Sequence, residues 1–218
     1  RQNTLMQLNL VGQVSDGYFE HTILTGVEYG NQDTENARSD AFFAQTQDDQ
    51  ITFMFSDPLV VPSMSLTEPV RSSASDVAFT SVFIQDEISL NDQWKVVAGV
   101  RYDNFDIDVT DAIEAANGAE DGNNGMLSSS DTEVSPRAGL IYKPVESVSL
   151  YASYSKSFLP RSGDQFLNLS IDEQALDAEE FENKEVGLKW NLSDALALTA
   201  AIFEVERENG TAQDPNNP

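Results

Sequence analysis

The chain contains no cysteine and one histidine, His21. The first absence removes disulfide scaffolds and every thiolate-based zinc, iron–sulfur or redox site. Basic residues are scarce: 12 Lys and Arg against 37 Asp and Glu give a formal net charge of -25. A chain of that sign repels nucleic acid, which is excluded as a partner, and gains nothing by charge from an anionic lipid surface. No apolar run approaches the roughly 18 residues of a membrane-spanning helix, and mean hydropathy is -0.35. That leaves strands open, because a spanning strand of about 9–11 residues needs only alternate apolar positions. HExxH, the Walker loop, GxSxG and GxGxxG are also missing, so the chain reads as no enzyme, with no resident cofactor or metal. His21, in a strand among apolar neighbours, reads as a structural interfacial residue.

What is present is alternation. With 40% hydrophobic residues the chain is not disordered throughout. Eight segments alternate, at about 4–14, 18–30, 77–90, 94–108, 133–143, 147–157, 183–192 and 196–207. They run well beyond the 5–6 residues typical of soluble sheets. Tight joints (Ser15-Asp16-Gly17, Asn91-Asp92-Gln93, Pro144-Val145-Glu146, Ser193-Asp194-Ala195) alternate strictly with long polar stretches at about 31–76, 109–132 and 158–182. Short turns on one side and long loops on the other are the habit of outer-membrane barrels, periplasmic and extracellular respectively. No signal peptide begins the chain, so either one has been removed or the chain starts inside a longer protein.

The two faces of each segment differ. In 94–103, Trp94, Val96, Ala98, Val100 and Tyr102 oppose Lys95, Val97, Gly99, Arg101 and Asp103. The same rule sends Val96, Val100, Leu140, Leu150, Leu188 and Leu198 to lipid, and Arg101, Asp103, Arg137, Glu185 and Lys189 to the lumen. Trp94, Tyr142, Trp190 and Phe19 fall near short turns and form the expected periplasmic aromatic girdle; Tyr29, Tyr102 and Tyr154 form the outer one. One segment resists: Asp86 shares a face with Ala78, Val82, Ile84, Ile88 and Leu90. A β-bulge near Gln85 would turn it away from lipid.

The loops hold the candidate ligand surface. Phe42, Phe43, Phe53, Phe55 and Arg71 lie in the first, Arg161 and Phe166 in the third. Arginines and aromatics among acidic residues suit an anionic, aromatic ligand, with Arg161 the first choice. Asp121-Gly122-Asn123-Asn124-Gly125 has a calcium-loop composition but lacks spaced oxygen ligands. It reads as a flexible loop tip.

Five stretches carry a family resemblance. They are Phe83-Ile84-Gln85-Asp86-Glu87, Gly99-Val100-Arg101-Tyr102-Asp103, Ser135-Pro136-Arg137-Ala138-Gly139, Tyr151-Ala152-Ser153-Tyr154-Ser155-Lys156-Ser157-Phe158 and Glu182-Asn183-Lys184-Glu185-Val186-Gly187-Leu188-Lys189. In this order, over about 77–207, they resemble TonB-dependent siderophore receptors, and 158–166 is most similar to the ferrichrome- and catecholate-type subgroup. The resemblance implies an all-β antiparallel meander forming part of a 22-stranded transmembrane β-barrel of the outer membrane. Its lumen would be filled by an N-terminal plug that this chain lacks, so residues 1–218 are expected to be a partial barrel domain. The implied partners are a ferric siderophore, the TonB complex acting through the plug, and outer-membrane lipid and lipopolysaccharide. It also implies an open, curved sheet, since more strands must join on both sides. Two alternatives remain at this point: a TonB-dependent receptor for cobalamin, a glycan or haem, and a soluble acidic secreted β-protein that binds a ligand.

Overall fold

The computed structural model describes residues 1–43, 54–56, 58, 63–117, 124–161, 169, 174 and 176–210. Phe53, Phe166 and residues 121–123 therefore lie outside the described residues. Among the described residues, ten strands run in chain order: β1 (Gln2–Ser15), β2 (Glu20–Arg38), β3 (Ala41–Phe43), β4 (Met64–Leu66), β5 (Arg71–Ser89), β6 (Trp94–Asp111), β7 (Met126–Val145), β8 (Val148–Leu159), β9 (Glu179–Ser193) and β10 (Leu196–Glu208). A short helix, α1 (Ala112–Asn117), follows β6.

Eight strands make one antiparallel sheet in the order β1-β2-β5-β6-β7-β8-β9-β10; β3 and β4 pair as a separate hairpin. Each long strand pairs with its neighbour in sequence, and β1 does not meet β10. The sheet is open, as expected, rather than a closed eight-stranded barrel.

The tight turns are built from their own side chains. Asp16 Oδ1 accepts hydrogen bonds from the Tyr18 and Phe19 amides at 2.8 and 2.7 Å, and Gly17 takes a φ of 92°. Asn91 Oδ1 does the same for the Gln93 and Trp94 amides, both at 2.9 Å. Short side-chain oxygens that imitate a backbone turn explain why Asp and Asn stand where these strands reverse.

Register assigns the two faces. Val96, Val100, Leu140, Leu150, Leu188 and Leu198 share one face; Arg101, Asp103, Arg137, Glu185 and Lys189 share the other. The second face is less accessible although it belongs to a single layer: Asp103 is 5% exposed and its neighbour Tyr102 44%. Curvature produces that difference by crowding the side chains of the concave face. Near the turns, Trp94 stacks on Tyr142 with ring centroids 4.3 Å apart, joining β6 and β7 at the rim of the apolar face.

One open question is answered and one expectation needs correction. Register runs unbroken through Gln85 and Asp86 in both pairings of β5, so no bulge turns Asp86 inward. Asp86 points outward and is bonded to His21 Nδ1 at 2.7 Å. The strands also outrun their predicted spans at the loop end, by 8 residues in β2. The reason lies in β6. Past Tyr102 the alternation continues with its polarity reversed: Asp106, Asp108 and Thr110 are exposed on the convex face, while Phe105, Ile107 and Val109 are buried on the concave one. Above the apolar band the outer face meets water and the inner face makes a core.

The reversal also measures the strand tilt. The last outward apolar residue is Met6 on β1 and Ile202 on β10. Followed along the register, their rows reach β7 at Thr132 and Leu140, a shift of 8 residues over seven pairings. At about 3.3 Å per residue and about 4.8 Å between strands, the tilt is about 38°, within the range of spanning barrels.

Candidate functional site: the concave wall and its mouth

The wall is a charge network on β2, β5 and β6. Arg101 donates to Glu28 Oε2 at 2.9 Å, to Asp103 Oδ1 at 2.8 Å and to Ser81 Oγ at 2.7 Å, and its guanidinium lies 5.8 Å from the Phe83 ring centre. Glu28 and Arg101 are 73 residues apart, and no local pattern announces their meeting. Further round, Tyr151 donates to Glu185 and Lys189 sits over the Tyr151 ring at 5.5 Å. Arg137 makes no ion pair or hydrogen bond among the described residues. It lies against Gly99, where a Cβ would come within 3.1 Å of Arg137 Nε.

Above this network a cavity of about 570 Å³ opens, lined by Phe79, Phe83, Phe105, Arg101, Arg137 and Phe158. Phe79 and Phe105 stack with centroids 6.1 Å apart. Leu169, from the β8–β9 connection, is buried with Val77, Phe105, Ile107 and Val109. Leu169 thus packs on β5 and β6, beyond β7 from the strand that precedes it. Composition hides this platform, but alternation that persists in reversed phase beyond Tyr102 is the signal that would have found it.

The predicted ligand residues do not converge. Arg161 is 6% exposed. It donates to Glu179 Oε1 at 3.0 Å and to the Asp177 carbonyl at 2.8 Å, and it also bonds the Asn209 carbonyl. Arg207 binds the same Glu179 carboxylate. Arg161 thus closes a clasp that joins the ends of β8, β9 and β10, with each of its three side-chain nitrogens engaged. Phe42 and Phe43 are half-buried on the β3–β4 hairpin, and Arg71 begins β5. This group is separated from Arg161 by β6 and β7. Phe55 is fully exposed.

Negative charge crowds the mouth. Burial and then the neighbouring Asp177 push the Asp131 carboxyl above its usual range. Burial and then Glu180 do the same to Glu133. Asp33 is raised by its hydrogen bond with the Asp76 carboxyl. Among the described residues no group of histidine and carboxylate side chains has the geometry to hold a metal ion.

All 218 residues match the family described as TonB dependent receptor-like, beta-barrel. The chain is 30% identical to the probable TonB-dependent siderophore receptor PiuA of Acinetobacter baumannii, over 96% of the chain and 30% of that protein. It is 26% identical to the ferrioxamine B receptor of Salmonella typhimurium, over 96% of the chain and 27% of the relative. The crystal structure of PiuA superimposes with a TM-score of 0.76 at 27% identity, over 92% of this chain and 31% of that one. The ferric-catecholate import receptor Fiu of E. coli K12 shares the fold, with a TM-score of 0.74 at 20% identity, over 99% and 33%. The chain thus spans about 30% of the length of the relatives it matches. The family is an outer-membrane β-barrel, in keeping with a sheet that carries its apolar residues on one face and its charge network on the other, and the soluble alternative falls away. The chain belongs to the TonB-dependent receptors, as part of their β-barrel.

Proposed function

We propose that this chain is barrel wall of an outer-membrane receptor that imports ferric siderophores, energised through the TonB complex acting on the plug that such a barrel encloses. The iron chelate is cargo, and the wall itself holds no resident cofactor. The observation that carries the reading is the similarity, along nearly the whole chain, to a protein named as a siderophore receptor. The geometry agrees with it: an apolar convex face, a polar concave wall, and an aromatic-lined cavity at the loop end. Haem is the poorer cargo, because the single histidine is bonded to Asp86 on the convex face, away from the lumen.

The test uses the full-length receptor. A deletion strain starved of iron should grow on one or more defined ferric siderophores only when the receptor is restored. Growth that is the same with and without the receptor on every ferric siderophore offered would refute the proposal.

A further inference from the structure

Most of the basic side chains already have a partner. Besides Arg101, Arg161 and Arg207, carboxylates hold Arg38, Lys95, Lys156 and Lys184. Arg1 donates to Gln32, and Arg71 is not free either. Among the described residues that leaves Arg137, Lys143 and Lys189 outside any ion pair. Lys143 is exposed near the β7–β8 turn. The other two line a single cavity of about 360 Å³ on the concave wall, Arg137 from β7 and Lys189 from β9. Between them β8 contributes Ser149, Ser153 and Ser155, whose hydroxyls make no hydrogen bond among the described residues. No carboxylate lines the cavity. Glu185, opposite Ser153, stands outside it and accepts from the Tyr151 hydroxyl. In a chain of 37 acidic and 12 basic residues, two unpaired cations therefore converge on one recess furnished with donors.

A guanidinium fork, an ammonium and free hydroxyls all donate, so the group they recognise is one that accepts and carries negative charge. A planar guanidinium grips two oxygens of an ionised group at once, while the lysine adds a point charge from the far side of β8. Arg137 also lines the larger aromatic cavity above, so one guanidinium borders both recesses. The lower cavity is level with the apolar band, since Arg137 lies between Ala138 and Pro136 opposite Gly99, and Lys189 beside Leu188. We propose that Arg137 and Lys189 form an anion-binding site on the concave wall that holds an ionised oxygen group of the cargo, and that the site favours negatively charged ferric chelates over neutral ones. This rests on the siderophore-receptor reading, in which the concave wall faces the lumen, and narrows it.

The experiment is calorimetric titration of the purified full-length receptor with two probes: a ferric tris-catecholate, whose three dianionic ligands leave a net charge of minus three, and a neutral cyclic ferric trihydroxamate. At low salt the tris-catecholate should bind the tighter of the two. Arg137→Gln and Lys189→Gln should each weaken it about tenfold, the order of one charge-assisted contact, and leave the trihydroxamate unaffected. Lys143→Gln removes the same charge outside the cavity and should change neither affinity. Urea midpoints of the three variants should match the unaltered receptor. Tighter binding of the trihydroxamate by the unaltered receptor overturns the inference and leaves the receptor reading standing. So does an equal loss for both chelates, or lowered urea midpoints with both affinities unchanged, which would assign the two cations to the protein's own packing. Binding of neither chelate, with cobalamin or a glycan bound instead, overturns the receptor reading and this inference with it.

Discussion

At the scale of single residues, the two that looked most out of place, Arg161 and Asp86, are both explained by partners far along the chain. Asp86 sets a carboxylate among Val82, Ile84 and Ile88, and the sole histidine answers it from the adjacent strand. Arg161 looked like a ligand-binding cation because it stands in the most family-specific stretch, just past a spanning strand. Its fork instead ties together Glu179 and two carbonyls. Removing it should loosen the β8–β9 connection before it touches any ligand. Arg161→Ala is expected to cost about 1.5–3 kcal/mol of local stability, the usual worth of hydrogen bonds to a charged group. Arg161→Lys should recover only part of it, since an ammonium lacks the planar fork. Amide hydrogen exchange at Ala178 and Glu179 in the full-length receptor is the measurement. Unchanged protection in Arg161→Ala would mean that the clasp does not hold the loop.

At the scale of elements, the sheet is knitted by glycines facing aromatic rings across the strands. Gly30 lies opposite Phe79, Gly26 opposite Phe83 and Gly187 opposite Tyr151, all on the concave face. A Cβ at Gly30 would come 2.2 Å from the Phe79 ring, and one at Gly187 2.4 Å from Tyr151. The ring lies over the bare backbone of its partner, so overpacking there should destabilise by about 1–3 kcal/mol. Gly12, with nothing within 4 Å, provides the control. Gly30→Ala should lower the urea midpoint of the refolded receptor and Gly12→Ala should not; equal midpoints would dismiss the pairing as incidental. The eight strands of the main sheet, the turn sites and which residues share a face were legible in the sequence, because a strand with one apolar face alternates and a tight turn favours Asp, Asn or Gly; the β3–β4 pair was not. The strand ends were not, since an apolar-outward rule stops working where lipid gives way to water beyond Tyr102. The wall network and the clasp were hidden for another reason. Each joins residues that only register brings together, as Glu28 meets Arg101.

At the scale of the whole molecule, the reversal of polarity marks where the membrane ends. Along the convex face of β6, Val96, Ala98, Val100 and Tyr102 give way to Asn104, Asp106 and Asp108, with no break in register. The same passage occurs from Tyr29 to Asp33 on β2 and from Ile202 to Glu204 on β10. Joined across the tilted strands, these points form one level, which a soluble sheet has no reason to maintain. A carboxylate on the lipid side of that level would be costly. Spin labels placed singly along β6 of the full-length receptor can trace it. Labels at 96, 98 and 100 should be relaxed strongly by oxygen, which concentrates in lipid, while one at 101 should not. Labels at 106 and 108 share the convex face, yet they should respond to a water-soluble nickel complex instead. The exchange of quenchers between 102 and 106 on one unbroken face is the signature of a membrane boundary crossing a continuous strand. If 106 and 108 responded like 100, the apolar band would extend past Tyr102, and the acidic rows would have to be placed within lipid.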